Sequence, residues 1–251
     1  MTKKELFTKL KNGFEHLLNE YHIEDDVLSV TCRALTPEEA IGKTKRTDFP
    51  ILTGKDVMIQ AEYKGFKGQA FTDAPAAYHG MLRDVLKLDI ENHPHDRGIF
   101  IATLNAVTAS LHLCVGTVHC RKDGPEYCAQ DMEQFLTVNY PDIKRIALIG
   151  YQPALLEMLS KSRYEVRVMD LNPDNIGQNR YGVTIEDGIS MKNEIRDHFA
   201  ELILCTGSTL CNGSIIDYLD IEPEVLFFGT SASGAAPILG LKRVCFADKY
   251  E

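Results

Sequence analysis

The second half of the chain contains four short apolar runs, separated by helical or polar segments of crossover length. The runs are residues 145–149 (RIALI), 165–169 (EVRVM), 201–205 (ELILC) and 224–228 (EVLFF). Parallel strands need long crossover connections, and strands covered on both faces of a sheet consist mostly of apolar residues. The pattern therefore predicts a doubly wound α/β domain built on a parallel sheet.

The first half has a different order of patterns and predicts an α+β domain. Leucine and phenylalanine recur at helical spacing near the amino terminus, and β-rich segments follow them. The predicted elements are a helix over residues 2–21, strands over 26–34, 56–63 and 66–72 with a tight turn at Lys64-Gly65, a helix that begins at Pro75, and a helix over 97–113.

Chain length and one charged stretch indicate two domains. A chain of 251 residues can form one large domain or two small ones. Residues 121–125 (RKDGP) combine charge with turn chemistry between the two patterns. We therefore predict an α+β domain over residues 1–120 and an α/β domain over residues 126–251.

The net charge and the cysteines indicate which kinds of molecule the protein is expected to bind and in which compartment. The formal net charge of −9 disfavours binding to nucleic acid and to anionic lipid. Seven cysteines, with no CxxC pair and no export signal, predict reduced thiols in a cytoplasmic protein. Residues 98–120 lack charge but carry seven hydrogen-bonding side chains, which favours a buried helix over a membrane span. Homo-oligomer formation stays open.

Ligands of open parallel sheets bind beyond the carboxyl ends of the strands. Gly150 follows the first run and permits a tight turn, and Pro153 can begin a helix. Only the first glycine of a dinucleotide-binding GxGxxG is present, so a simple turn and another ligand loop stay open as alternatives. Asp170 lies 20 residues beyond Gly150, where dinucleotide sites place an acid that binds ribose. Its alternative role is to cap the following turn.

Two hydroxyl-rich loops follow the third and fourth runs and predict a ligand cleft. The first, CTGSTLCNG, precedes a predicted helix over residues 214–219, and the second is GTSASG. Such loops offer convergent donors for an anion or a polar cofactor. The candidate binding residues of the four loops are Gly150, Tyr151, Pro153, Asp170, Asn172, Thr206, Gly207, Ser208, Thr209, Asn212, Gly229, Thr230 and Ser231.

Imidazole and thiol groups are dense around the predicted domain boundary. His112, Cys114, His119 and Cys120 are candidate ligands for zinc, copper or iron, although their spacing matches no closed structural site. The alternative is a set of buried thiols in an interdomain connection. The stretch GKTKR, which contains Arg46, either meets an anion or forms a solvated loop.

Six segments in this order resemble the putative heavy-metal chelation family. They are GQAFTDAPAAYHG (68–80), RGIFIATLNA (97–106), IALIGYQPALL (146–156), VMDLNP (168–173), ILCTGSTLCNGSI (203–215) and FFGTSASGAAPIL (227–239). The resemblance covers residues 28–246 and implies an enolase-amino-terminal-like α+β domain followed by a Rossmann-like domain. It also implies that Asn105 is a binding residue of the first domain. One departure is Thr230, which stands where the family commonly has proline, and the family pattern fixes no catalytic residue.

These features leave two functions open, and a pure interaction module is a third class. In the first, the chain binds a small anionic ligand, a cofactor or a metal complex in a cleft between the domains, in heavy-metal chelation or cofactor metabolism. In the second, it is an enzyme that uses an adenosine-containing cofactor, either S-adenosylmethionine or a nicotinamide nucleotide. Gly150 and Asp170 motivate the second, and the hydroxyl-rich loops support both.

Overall fold

The computed structural model describes residues 1–23, 29–53 and 57–251. Residues 26–28 and 56 of the predicted strands lie outside the described residues. The helices are α1 (Lys3–Glu20), α2 (Pro37–Ile41), α3 (Pro94–Ser110), α4 (Gly124–Asn139), α5 (Pro153–Lys161), α6 (Lys192–Glu194), α7 (Ser208–Asn212) and α8 (Ala235–Leu239). The strands are β1 (Ser29–Ala34), β2 (Val57–Tyr63), β3 (Phe66–Thr72), β4 (Tyr78–Met81), β5 (Arg145–Ile149), β6 (Glu165–Asp170), β7 (Asn179–Arg180), β8 (Val183–Asp187), β9 (Leu202–Thr206) and β10 (Glu224–Phe228).

The amino-terminal half forms a four-stranded antiparallel sheet in the order β3-β2-β1-β4. Lys64 and Gly65 both have positive φ and join Tyr63 to Phe66 directly opposite it, so the predicted two-residue turn is confirmed. The helix predicted at Pro75 is wrong. Residues 78–81 form β4, because the edge of β1 is available for pairing, and a 3₁₀ helix over Leu82–Lys87 follows.

Helix α3 packs against this sheet, and helix α1 packs against α8 of the second half. Thr2 caps α1 and shares a capping box with Glu5, and the apolar stripe of α1 is buried. Residues 98–110, the uncharged part of α3, are buried on nearly all sides, which agrees with the prediction of a buried helix. No helix in the described ranges is long and apolar enough to cross a membrane.

The carboxyl-terminal half forms a six-stranded sheet in the order β10-β9-β5-β6-β8-β7. All neighbouring strands are parallel except β7, a two-residue strand that pairs antiparallel with β8. The chain runs outward from β5 through β6 to β8 and then returns to the other side of β5 as β9. The predicted α/β class is confirmed, and the switch point of the sheet lies between β5 and β9.

The two sheets share one hydrophobic core. Phe14 of α1 and Phe100 of α3 pack edge to face with ring centroids 5.5 Å apart, and their cluster extends to Ala147 and Ile203 of the second sheet. A separate cluster lies between the other face of the second sheet and helices α4 and α5. The division into residues 1–120 and 126–251 stays a prediction.

Candidate ligand site between the two sheets

A cleft of about 600 Å³ lies between the two sheets, at the carboxyl ends of the parallel strands. The loops after β5, β6, β9 and β10 line one wall, and residues of the amino-terminal half line the other. This volume is in the range of small-molecule and cofactor sites. The switch point between β5 and β9 opens into the same cleft.

Most of the predicted binding residues line this cleft. Gly207 and Asn105 are the exceptions. The lining candidates are Gly150, Tyr151, Pro153, Asp170, Asn172, Thr206, Ser208, Thr209, Asn212, Gly229, Thr230 and Ser231.

Gly150 allows β5 and β9 to approach closely at the switch point. Its φ is +87°, and its N–H donates to the carbonyl of Met169 at 2.8 Å. A Cβ at this position would lie 2.5 Å from Cγ2 of Thr206. Only glycine meets both conditions without displacing a neighbour.

The Asp170 carboxylate lies at the end of β6 and is held by two backbone donors. The N–H of Tyr151 donates to Oδ2 at 2.8 Å, and the N–H of Asn172 donates to Oδ1 at 2.7 Å. The carboxylate therefore caps the turn after β6, which was one of its two predicted roles. Asn175 Nδ2 lies 3.4 Å from Oδ2 as a third donor, so the second lone pair of Oδ1 is the acceptor capacity that the carboxylate keeps toward the cleft.

The loop after β9 turns at once into the short helix α7. The Thr209 hydroxyl donates to the Thr206 carbonyl at 2.6 Å, and the Thr206 and Ser208 hydroxyls lie 3.2 Å apart. The helix predicted over 214–219 is a 3₁₀ helix over Ser214–Tyr218. Thr206 and Ser208 both line the cleft, and their hydroxyls bond mainly to each other.

Gly207 has a packing role, and its binding role stays a prediction. Its N–H donates to the Phe228 carbonyl at 2.7 Å, and a Cβ there would lie 2.8 Å from the backbone nitrogen of Ala232. Gly207 therefore permits the loops after β9 and β10 to touch.

Asn105 holds the loop after β10 in place and does not reach the cleft. The side chain has 0% exposure. Nδ2 donates to the carbonyls of Gln69 at 2.8 Å and Thr230 at 3.0 Å, and Oδ1 accepts from the N–H of Gly234 at 2.7 Å. Asn105 thus joins α3, β3 and the turn after β10, so its effect on a ligand is indirect.

The opposite wall of the cleft is apolar, and we did not predict it from the sequence. It includes Phe49, Ile51, Met58 and Phe71, which belong to a third small hydrophobic cluster beside α2. Asp73, just after β3, also lines the cleft. No local signal marks these residues, because the packing of the two sheets decides which face they meet.

Arg46 ties the segment over residues 42–52, which carries part of this wall, to the second half. Its side chain is only 14% exposed and forms ion pairs with Glu126 at 2.9 Å and with Glu157. Asp48 of the same segment accepts from the hydroxyls of Tyr151 and Tyr181. Burial and the bond to Asp48 raise the pKa of Tyr181 to about 12. Arg46 therefore meets carboxylates of its own chain, so neither the anion site nor the solvated loop expected for GKTKR describes it.

The four predicted metal ligands separate into two places. His112 packs against the ring of Phe66 at the end of α3, and the Cys114 thiol donates to the Thr108 hydroxyl at 3.1 Å. His119 and Cys120 line the cleft. The described ranges hold no group of three or more His, Cys, Asp or Glu side chains that could hold a metal ion.

A row of three thiols borders the cleft next to His119. Cys128 lies in hydrogen-bond contact with Cys120 on one side and Cys245 on the other. The contact with Cys120, with burial, raises the pKa of Cys128 to about 12. Cys245 was not among the predicted residues. All three thiols line the cleft, and the raised pKa values of Cys128 and Cys245 make these two poor nucleophiles.

The side chains that line the cleft are acidic, whereas we expected an anionic ligand from the sequence. Among the described residues its lining contains Asp73, Asp170 and Asp217 and no lysine or arginine. Asp217 is paired with Lys192 at 2.9 Å. An acidic lining favours a neutral or cationic ligand over an anionic one.

Comparisons with known proteins show a similarity of fold to a solved structure and a match to one family model over part of the chain. The crystal structure of a protein of unknown function from the DUF364 family of Pyrococcus horikoshii superposes with a TM-score of 0.52 at 16% identity, covering 90% of this chain and 80% of that chain. A DUF364 protein of unknown function from Desulfitobacterium hafniense gives a TM-score of 0.45 at 11% identity, covering 88% and 78%. No curated protein matches. Residues 134–241 match the model of the DUF364 family, described as putative heavy-metal chelation, in agreement with the resemblance seen in the sequence.

Proposed function

We propose that the chain binds a neutral or cationic small molecule that contains a nucleoside, with the ribose at Asp170. The observation that carries this proposal is the Asp170 carboxylate, fixed in the cleft by the N–H groups of Tyr151 and Asn172. A vicinal diol needs two acceptors side by side: Oδ1 has a remaining lone pair, and at Oδ2 one hydroxyl would replace the long 3.4 Å contact from Asn175 Nδ2. Asp170 ends the strand next to the central strand β5, where ribose-binding acids lie in doubly wound sheets.

The composition of the lining favours some adenosine compounds over others. A nicotinamide dinucleotide carries two phosphates, which need glycine-rich backbone or cationic partners. Of the fingerprint glycines only Gly150 is present, and no lysine or arginine of the described residues lines the cleft. Adenosine and the cationic S-adenosylmethionine suit an acidic cleft better.

A heavy metal, which the family name suggests, does not fit as a resident ion of the described residues. Although Cys120, Cys128 and Cys245 all line the cleft, the described residues contain no group of three His, Cys, Asp or Glu side chains arranged to hold a metal ion. A second candidate function follows from this row of thiols: a soft metal that arrives as a complex needs only one or two donors from the protein. Elemental analysis and titration with Zn²⁺, Ni²⁺ and Cu⁺ test it, and a metal-free protein with no binding tighter than roughly millimolar rejects it.

Calorimetric titration with adenosine, S-adenosylmethionine and NAD⁺ tests the main proposal. We expect the first two to bind, and Asp170→Asn to weaken them about ten-fold or more, because hydrogen bonds to a charged group contribute about 1.5 kcal/mol each. Asp187→Asn is the matched control. Asp187 lies directly opposite Asp170 on β8 and caps its own turn, but it does not line the cleft.

Three outcomes would reject the nucleoside assignment. They are no binding of any adenosine compound, equal affinity in Asp170→Asn and wild type, and an equal loss in Asp187→Asn. Circular dichroism of each variant separates a loss of binding from a loss of folding. As an independent readout, a ligand at 100 times its Kd should stabilise the protein by about 2.7 kcal/mol in thermal unfolding.

A further inference from the structure

The face of the amino-terminal sheet that meets the cleft carries an apolar pair beside a polar pair. Met58 of β2 lies directly opposite Phe71 of β3, and both line the cleft. Two residues further along the same face, Gln60 lies directly opposite Gln69. Since side chains alternate between the faces of a strand, the two pairs are neighbours on one surface.

The glutamine pair positions His119 at the edge of this surface. Gln69 Nε2 donates to Gln60 Oε1 at 3.0 Å, and the backbone N–H of His119 donates to Gln69 Oε1 at 2.8 Å. Gln60 is fixed in turn, because its Nε2 donates to Glu62 at 2.9 Å. A buried, connected chain of polar groups of this kind holds its last member rigidly.

The hydrogen bonding of His119 fixes which ring nitrogen carries the proton. Nδ1 lies 2.6 Å from the carbonyl oxygen of Cys120. A carbonyl oxygen only accepts, so Nδ1 must be the N–H donor and Nε2 of the neutral ring is an acceptor. No donor among the described residues bonds to Nε2, and the ring lines the cleft.

We infer that Met58, Phe71 and His119 form a second subsite, which takes a flat apolar group that carries one O–H or N–H donor, with the donor bonded to His119 Nε2. Phe71, backed by the buried side chain of Met58, supplies the surface for the body of the group. The imidazole supplies one acceptor at a fixed place beside that surface. A phenol-like or aniline-like group has this combination. The subsite shares no residue with the proposed ribose site at Asp170, so it does not depend on the nucleoside assignment.

Phenol and toluene are matched probes, because they have nearly the same shape and differ in one hydroxyl. Nuclear magnetic resonance titrations compare the affinity of the two probes for wild type, His119→Asn and His112→Asn. Asparagine keeps a donor near the position of Nδ1 and removes the Nε2 acceptor. His112 packs on Phe66 outside the cleft and serves as the control.

We expect the phenol-to-toluene affinity ratio to fall roughly five-fold in His119→Asn, the effect of one hydrogen bond, and to stay unchanged in His112→Asn. In wild-type protein labelled with ¹⁵N-histidine, Nε2 of His119 should be the unprotonated nitrogen, and phenol but not toluene should shift its resonance. A ratio that survives in His119→Asn, a proton on Nε2, or no binding of either probe would overturn the inference. The ¹⁵N measurement keeps it testable if His119→Asn fails to fold.

Discussion

Removing the Arg46 side chain should destabilise the protein far more than removing a similar but exposed arginine. Arg46 is 14% exposed and bonds Glu126 and Glu157, which lie on α4 and α5. Each charge-assisted bond contributes about 1.5 kcal/mol, and truncation also leaves carboxylates without their cation. For Arg46→Ala we expect a loss of about 2–3 kcal/mol in the free energy of unfolding. For a chain of this size that lowers Tm by about 4–12 °C.

Arg33→Ala is the matched control in a thermal unfolding experiment followed by circular dichroism. Arg33 pairs with Glu39 at 2.7 Å, but its side chain is 59% exposed, so solvent screens the pair. We expect almost no change in Tm for this variant. A Tm for Arg46→Ala that falls no further than that of Arg33→Ala would refute the view that Arg46 fastens the 42–52 segment to the second half.

Three further perturbations follow from particular contacts. Asn105→Ala removes three buried hydrogen bonds and should cost about 3 kcal/mol in denaturant unfolding, and a loss below about 1 kcal/mol would contradict its anchoring role. Gly150→Ala should destabilise more than Gly177→Ala, because both have positive φ but only at Gly150 would a Cβ meet a neighbour; equal Tm values would refute the close-approach argument. The bond from Arg33, with those from the Thr36 turn, lowers the pKa of Glu39 from 4.5 to about 2. Because solvent screens this exposed pair, the stability that depends on it, present above pH 4.5 and lost as the pH falls toward 2, is small. Carboxyl resonances followed against pH should show that midpoint and a higher one in Arg33→Ala; the same midpoint in both proteins would contradict the pairing.

The parallel sheet could be predicted because the apolar composition of its central strands indicates that both of their faces are buried. Leu148 of β5 and Leu204 of β9 lie in continuous apolar runs and are fully buried, as strands covered on both faces require. Strand β8 reads VTIED and lies near the edge of the sheet, where partial exposure leaves no apolar run, so it was missed. Strand β4 was missed because Pro75 and an apolar spacing suited a helix, while pairing with β1 decided the outcome.

The residues that line the cleft at the ends of the parallel strands could be predicted from the topology of the sheet. Carboxyl ends of parallel strands meet at one edge, which brings Gly150, Asp170 and Thr206 to one cleft. The opposite wall had no such rule, since the position of Phe71 and His119 depends on how the two sheets pack. Asn105 shows the remaining difficulty, because a buried amide between three backbone groups looks the same in sequence as one that binds a ligand.

The central claim, that Asp170 receives the hydroxyls of a ribose, is tested most directly on the unmodified protein. Calorimetric titration compares adenosine with 2′,3′-dideoxyadenosine, which keeps the base and lacks both ring hydroxyls. We predict that adenosine binds about ten-fold more tightly or better, because each lost hydroxyl removes a hydrogen bond to a carboxylate. Equal affinity of the two nucleosides, or no binding of adenosine, would contradict the assignment of Asp170.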